Sequence, residues 1–87
     1  MEIDQLRVFL ALCDAGGFSA AARKLYKSHS SVSRTLSALE RELGVKLAER
    51  DRHSFTLTAP GRRLLDGAAA LVGQADDLAA AVKTAGK

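Results

Sequence analysis

The chain has one cysteine, one proline, no tryptophan and only 5% aromatic residues. A lone Cys13 cannot close an internal disulfide, so packing alone must hold the fold. Cys13 keeps step with Leu6, Phe9 and Leu10 on a helical face, which predicts a buried core thiol rather than a redox or nucleophilic centre. No apolar run approaches the length that spans a bilayer and no signal-peptide pattern is present, so the expected location is the cytoplasm, with no membrane partner. His29 and His53 belong to no cluster with metal-ligand spacing, and no glycine-rich phosphate loop follows a strand. No catalytic set is visible; neither a metal nor a cofactor is expected in this chain, and the expected class is a non-enzyme.

What is present fits one small domain: 87 residues, 47% of them hydrophobic and 26% charged, bury a modest core with little margin. The net charge of +3 conceals an asymmetry, because residues 1–22 balance at −2, residues 23–63 at +6 and residues 64–87 at −1. A basic middle suits a polyanion, since neutralised phosphates release condensed counterions. A solvated surface that happens to be basic would carry the same charge, so charge alone does not decide.

The stretch from Ser28 to Gly44 decides more. Val32, Leu36, Leu39 and Leu43 recur at steps of four, three and four, one stripe of a helix that should stop at Gly44. The other face carries His29, Ser30, Ser33, Arg34 and Ser37, short or forked hydrogen-bonding side chains suited to the edge of a DNA groove. Upstream, Ile3, Leu6, Phe9, Leu10 and Cys13 predict a core helix from Ile3 to about Ala15, ended by Gly16-Gly17. Ser19 is expected to cap a short helix from Ala20 to about Leu25, and Ser28 the next one, leaving a tight turn at Tyr26-Lys27. Helix, turn and helix follow the first helix as a three-helix core.

After Gly44, residues 45–50 and 54–58 alternate around the polar tip Asp51-Arg52-His53, which predicts a small hairpin, or wing, that must pack on the helices. Thr58 followed by Ala59-Pro60-Gly61 marks a strong helix start, and the chain then reads as one helix to about Lys83, on the order of 37 Å long. Leu64, Ala68, Leu71, Ala75, Leu78 and Val82, flanked by Leu65, Val72 and Ala79, form a heptad seam that predicts a partner helix. The same stripe could instead fold back on its own domain. The expected fold class is mainly α: a winged helix-turn-helix over residues 1–58, followed by a linker and dimerisation helix over residues 59–87.

Several motifs in fixed order closely resemble the DNA-binding domain of LysR-type transcriptional regulators. They run from Gln5-Leu6-Arg7-Val8-Phe9 through Gly17-Phe18-Ser19-Ala20-Ala21-Ala22-Arg23-Lys24-Leu25 and Val32-Ser33-Arg34. They continue with Leu39-Glu40-Arg41-Glu42-Leu43-Gly44-Val45-Lys46-Leu47, Glu49-Arg50 and Leu57-Thr58 with Gly61, and cover nearly all of the chain. The resemblance implies a bacterial transcription regulator that binds double-stranded operator DNA. Its recognition helix, about residues 29–43, would enter the major groove, and its wing, about residues 46–58, would reach toward the minor groove. The linker helix would pair with that of a second subunit to form a homodimer, with a tetramer open to a full-length protein. Members also carry a C-terminal domain for a small co-inducer, to which nothing here corresponds, so the chain is expected to be a DNA-binding fragment or a short relative, resident at the nucleoid.

The chain departs from the family pattern in three places. Ser28-His29-Ser30 stands where Ser-Gln-Pro is common, Ala48 where phenylalanine is usual, and His53 where arginine is common. The candidate DNA-binding residues are Ser19, Ser28, His29, Ser30, Ser31, Ser33, Arg34, Ser37, Arg52 and His53. Ser19 and Ser28 have a plain structural use as caps, yet amide groups at a helix start also bind phosphate. Arg34 can grip guanine O6 and N7 or a phosphate, or else pair with Glu40 or Asp51 on the surface. Two other readings stand beside this one: another winged-helix regulator of the MarR-like or molybdate-regulator-like kind, and a protein-interaction module that reads no DNA.

Overall fold

Glycines and hydroxyls punctuate the chain where its helices begin and end. In this computed structural model, which describes residues 1–51 and 54–87, α1 spans Ile3–Ala15 and stops at Gly16, whose φ of 79° lets its N–H cap the Leu12 carbonyl. The second helix, α2, spans Phe18–Leu25. Its N-cap is Gly17, not a serine, so Ser19 lies inside the first turn and does not cap it. Helix α3 spans His29–Leu43, with Ser28 Oγ accepting from the Ser31 N–H at 3.0 Å and Gly44 closing it at φ 71°.

The helical core is built by Val8, Phe9 and Leu12 of α1, Ala21 and Ala22 of α2, and Val32, Leu36 and Leu39 of α3, closed by Leu47 and Ala48. The small Ala21 and Ala22 let α2 approach its neighbours closely, as a helix-turn-helix needs. Ile3, expected on the core face at the start of α1, is 38% exposed, and two further expected core positions differ. Leu43, the last residue before Gly44, is 40% exposed, because the stripe of α3 outruns the surfaces packed against it. Cys13 is half-buried against the core, and burial pushes its thiol pKa up to about 11.

The wing is shorter than its alternating sequence suggests: β1 spans Ala48–Arg50 and pairs antiparallel with β2, Phe55–Leu57, in the register Ala48 to Leu57, Glu49 to Thr56 and Arg50 to Phe55. Val45 and Lys46 lie outside the ladder and are exposed. Thr58 joins wing to helix: its hydroxyl donates to the Lys46 carbonyl at 2.7 Å and accepts from the Gly61 N–H at 3.1 Å, while its own N–H donates to the Leu47 carbonyl at 3.1 Å. Gly61 is so close to that strand that a Cβ there would sit 1.9 Å from the Leu47 carbonyl oxygen. Glycine is required at this point by contact rather than by backbone angle.

Helix α4 spans Ala59–Ala85, with Pro60 in its first turn, and gives the molecule extents of 49 × 26 × 19 Å. Its first half is part of the domain. Ala68 and Val72, expected in the dimer seam, are instead buried beside Leu6, with Leu10 and Leu64 packed around them, and Leu65 packs on the helical core. The heptad stripe begins where α4 lies along α1, so the domain itself covers the lower part of it. Arg7 of α1 bridges Asp76 of α4 at 2.7 Å beyond this contact. Leu71, next to the buried Val72, is 44% exposed and Ala75 half-buried, while past the bridge Leu78 and Val82 are 66% and 64% exposed and Ala79 is exposed. Among the described residues no helix is long and apolar enough to cross a membrane.

Candidate nucleic-acid interface

The start of α3 carries the face singled out by the sequence. Ser28, His29, Ser30 and Arg34 are exposed, and Ser31, Ser33 and Ser37 are partly so. Ser28 Oγ is committed to capping, and the Ser31 carbonyl accepts from the Thr35 hydroxyl at 3.1 Å. Arg34 makes no hydrogen bond or ion pair among the described residues. Glu40, one possible partner, is occupied by Arg50. Among the described residues Arg34 therefore has no partner, and its N–H groups are open to a ligand.

One aromatic ring ties this face to its surroundings. The Phe18 ring, at the start of α2, lies 5.3 Å from the His29 ring and 5.8 Å from the Phe55 ring of β2, meeting the latter edge-on at 84°. The Arg50 guanidinium sits 5.6 Å from the Phe18 centroid, within cation–π reach. Arg50 also grips the Glu40 carboxylate with both terminal nitrogens, at 3.2 and 3.3 Å, and the Leu47 N–H donates to the same carboxylate at 2.8 Å. Burial alone would raise the Glu40 pKa, but the Arg50 and Leu47 donors and nearby positive charge outweigh it and hold the carboxyl below its ordinary value. The wing strand is thus fastened to α3 through charge and to α2 through a ring.

These contacts frame an open cleft of about 660 Å³ between the starts of α2 and α3 and the wing, whose lining includes Phe18, Ser19, Arg23, His29, Ser33 and Arg50. The structure thereby brings Ser19, His29 and Ser33 together, whereas Ser37 lies farther along α3 and lines a separate shallow concavity with Glu40 and Arg50. Helix α2 has no side-chain cap at Gly17, and Gly17, Phe18 and Ser19 line the cleft, so the first N–H groups of α2 have no side-chain acceptor of their own there. Such a rim of cations, hydroxyls and free amides can hold phosphate oxygens. Arg52 and His53, expected at the wing tip, lie outside the described residues. No group of three potential metal ligands occurs among the described residues.

Sequence reasoning missed Phe18 and Arg50 as organisers of the site. Phe18 meets residues that follow it by 11 and 37 positions, and no local periodicity announces such a contact. Arg50 counted only toward the positive charge of residues 23–63 and as part of the Glu49-Arg50 motif, with no partner foreseen.

The profile of bacterial regulatory helix-turn-helix proteins of the lysR family matches residues 3–62. The transcriptional regulator TfdT of Cupriavidus pinatubonensis is 44% identical over 72 residues, which cover 83% of this chain and 32% of that protein. The chain spans about a quarter to a third of the length of curated relatives that it matches. Among solved structures, the CbnR DNA-binding domain in complex with DNA superposes with a TM-score of 0.93 at 36% identity, covering 100% of both chains. The BenM DNA-binding domain bound to the catB site 1 DNA gives 0.92 at 32% identity, covering 97% of this chain and 93% of that one. These likenesses bear out the winged helix-turn-helix with its long helix and set aside the MarR-like alternative. The chain belongs to the LysR family of bacterial regulatory helix-turn-helix proteins.

Proposed function

We propose that this chain binds double-stranded operator DNA in a sequence-specific way, as the DNA-binding part of a transcription regulator acting as a homodimer. In this reading α3 enters the major groove, the wing approaches the neighbouring minor groove, and the exposed seam of Leu71, Leu78 and Val82 pairs with a second copy. The observation that carries it is Arg34, exposed and without an ion pair or hydrogen bond among the described residues, set among exposed and partly exposed hydroxyls on the outer face of α3 near a cleft rimmed by Arg23 and Arg50. The DNA complexes of the CbnR and BenM domains, which share this fold over nearly their full length, support DNA as the ligand. The reading assigns no catalysis to the chain and locates it in the cytoplasm at the nucleoid. A small co-inducer enters it only through a C-terminal effector domain of an intact protein.

A fluorescence titration of the chain with random duplex DNA at two salt concentrations tests this. Binding that weakens steeply with salt is expected, because displaced counterions accompany each phosphate contact. A protein-interaction module would show neither binding nor a salt slope.

A further inference from the structure

Tyr26 is the one non-glycine residue with positive φ among those described, at φ 55° and ψ 43°. It ends α2 in the left-handed conformation that Gly16 and Gly44 supply at the ends of α1 and α3. Glycine reaches this conformation without steric penalty and asparagine with a reduced one, whereas a bulky side chain bears it in full. The turn gains nothing from the ring in exchange. Tyr26 is 98% exposed and makes no side-chain hydrogen bond or ring contact among the described residues. Backbone groups alone close the helix, with the Tyr26 N–H donating to the Arg23 carbonyl at 3.3 Å and the Lys27 N–H to that of Ala22 at 3.0 Å.

A side chain that strains the backbone and packs on nothing is explained by what it meets outside the domain. Its surroundings name the chemistry. Arg23, Lys24 and Lys27 flank it in the chain; Lys24 is bound to Asp14, while Arg23 and Lys27 are exposed without an ion pair among the described residues. Two residues on, Ser28 opens α3, so the ring stands at the groove-facing end of that helix. A phenol at this place offers one O–H to a phosphate oxygen and an apolar face to a sugar.

We propose that Tyr26 is a DNA-backbone contact, donating its hydroxyl to a phosphate of the strand that borders α3, and that the strained turn is tolerated for this contact. The proposal rests on the DNA-binding reading above and adds to it a residue outside the helix and the wing. Positive charge on both sides favours a polyanion over a protein partner for this ring. A neutral donor that contacts the backbone adds affinity without reading sequence and releases no counterion of its own.

The test compares the wild-type chain with Tyr26→Phe, Tyr26→Asn and Lys27→Ala, using labelled random duplex and duplexes enriched by selection with the wild type, alongside thermal melting. Tyr26→Asn is expected to melt at a higher temperature yet bind both kinds of duplex about three- to tenfold more weakly, the value of one hydrogen bond. Tyr26→Phe should keep the wild-type melting point and lose a similar factor. Neither change should alter the salt slope, whereas Lys27→Ala should lower it. A wild type that binds DNA while both Tyr26 variants bind equally well overturns the role of Tyr26 and leaves the DNA-binding reading standing. A loss confined to the selected duplexes overturns the backbone assignment, and a wild type that binds no duplex overturns both readings.

Discussion

Arg50 closes on Glu40 with two guanidinium nitrogens, at 3.2 and 3.3 Å, and so welds the first strand of the wing to the last turn of α3. Both side chains are largely shielded, the Glu40 carboxylate more so, and the Leu47 N–H completes its coordination. Glu40→Ala should destabilise the domain by about 1–3 kcal/mol, since it leaves a shielded guanidinium and a backbone N–H unpaired. Denaturant melts of the two proteins measure this, and a change below about 0.5 kcal/mol contradicts it.

The same carboxylate gives the stability a pH dependence. Its pKa is lowered on folding from 4.5, so its contribution is complete above that value and fades as pH falls from there through the depressed folded value. Glu40→Gln should therefore narrow the gap in melting temperature between about pH 6 and pH 3, compared with wild type. Melting curves across that range check it, with Asp14 and Asp76 unchanged in both proteins.

Gly61→Ala should cost about 1–3 kcal/mol, because the added methyl would meet a backbone carbonyl that no rotamer change can move aside. Gly67→Ala, where a Cβ meets nothing, should be neutral or stabilising by up to about 1 kcal/mol. Equal effects at the two glycines would refute the contact argument.

The seam of α4 divides into two halves with different readouts. Val72→Asp should unfold the domain, since it buries a charge beside Leu6 and Ala68. Leu78→Asp should leave the melting behaviour of the isolated protomer intact and convert the proposed dimer to monomers. Analytical ultracentrifugation at tens of micromolar separates the cases, and a wild type that sediments as a monomer removes the dimer.

Arg34→Ala should weaken DNA binding by about 1–3 kcal/mol, unevenly across sequences if the guanidinium reads a base and evenly if it holds a phosphate. Titrations on selected and random duplexes distinguish these outcomes. Unchanged affinity on both takes Arg34 out of the interface.

Much of the fold is legible in the residues because its signals are local. Ser28 and Gly44 bound α3, Gly16 ends α1 and Thr58 opens α4, each through a cap that a few neighbouring residues specify. The errors arise where a distant part of the chain decides. Ser19 satisfies every local criterion for a cap, but the turn from Gly16 places Gly17 there first. Ala68 and Val72 fit a heptad seam equally well whether the covering surface comes from α1 or from another copy, and only the packed chain tells these apart. The candidate interface follows the same division: the exposed face of α3 was visible from its spacing, while the Phe18 hub and the Arg50 clasp depend on contacts between separate elements.

Helix α4 is rooted by Gly61, Ala68 and Val72 and braced by Arg7 on Asp76, and its residues from Asp77 to Ala85 project past that brace. At about 1.5 Å per residue this arm is roughly 13 Å long, so a tilt of about 15° at its root swings the tip by roughly 3.5 Å. That swing is close to one base-pair step of about 3.4 Å along a DNA strand. In the proposed dimer the two recognition helices are joined through two such arms. The spacing of the half-sites it spans is then governed by an angle, amplified as by a lever, and the small contacts at Gly61, Val72 and Arg7 act as its fulcrum.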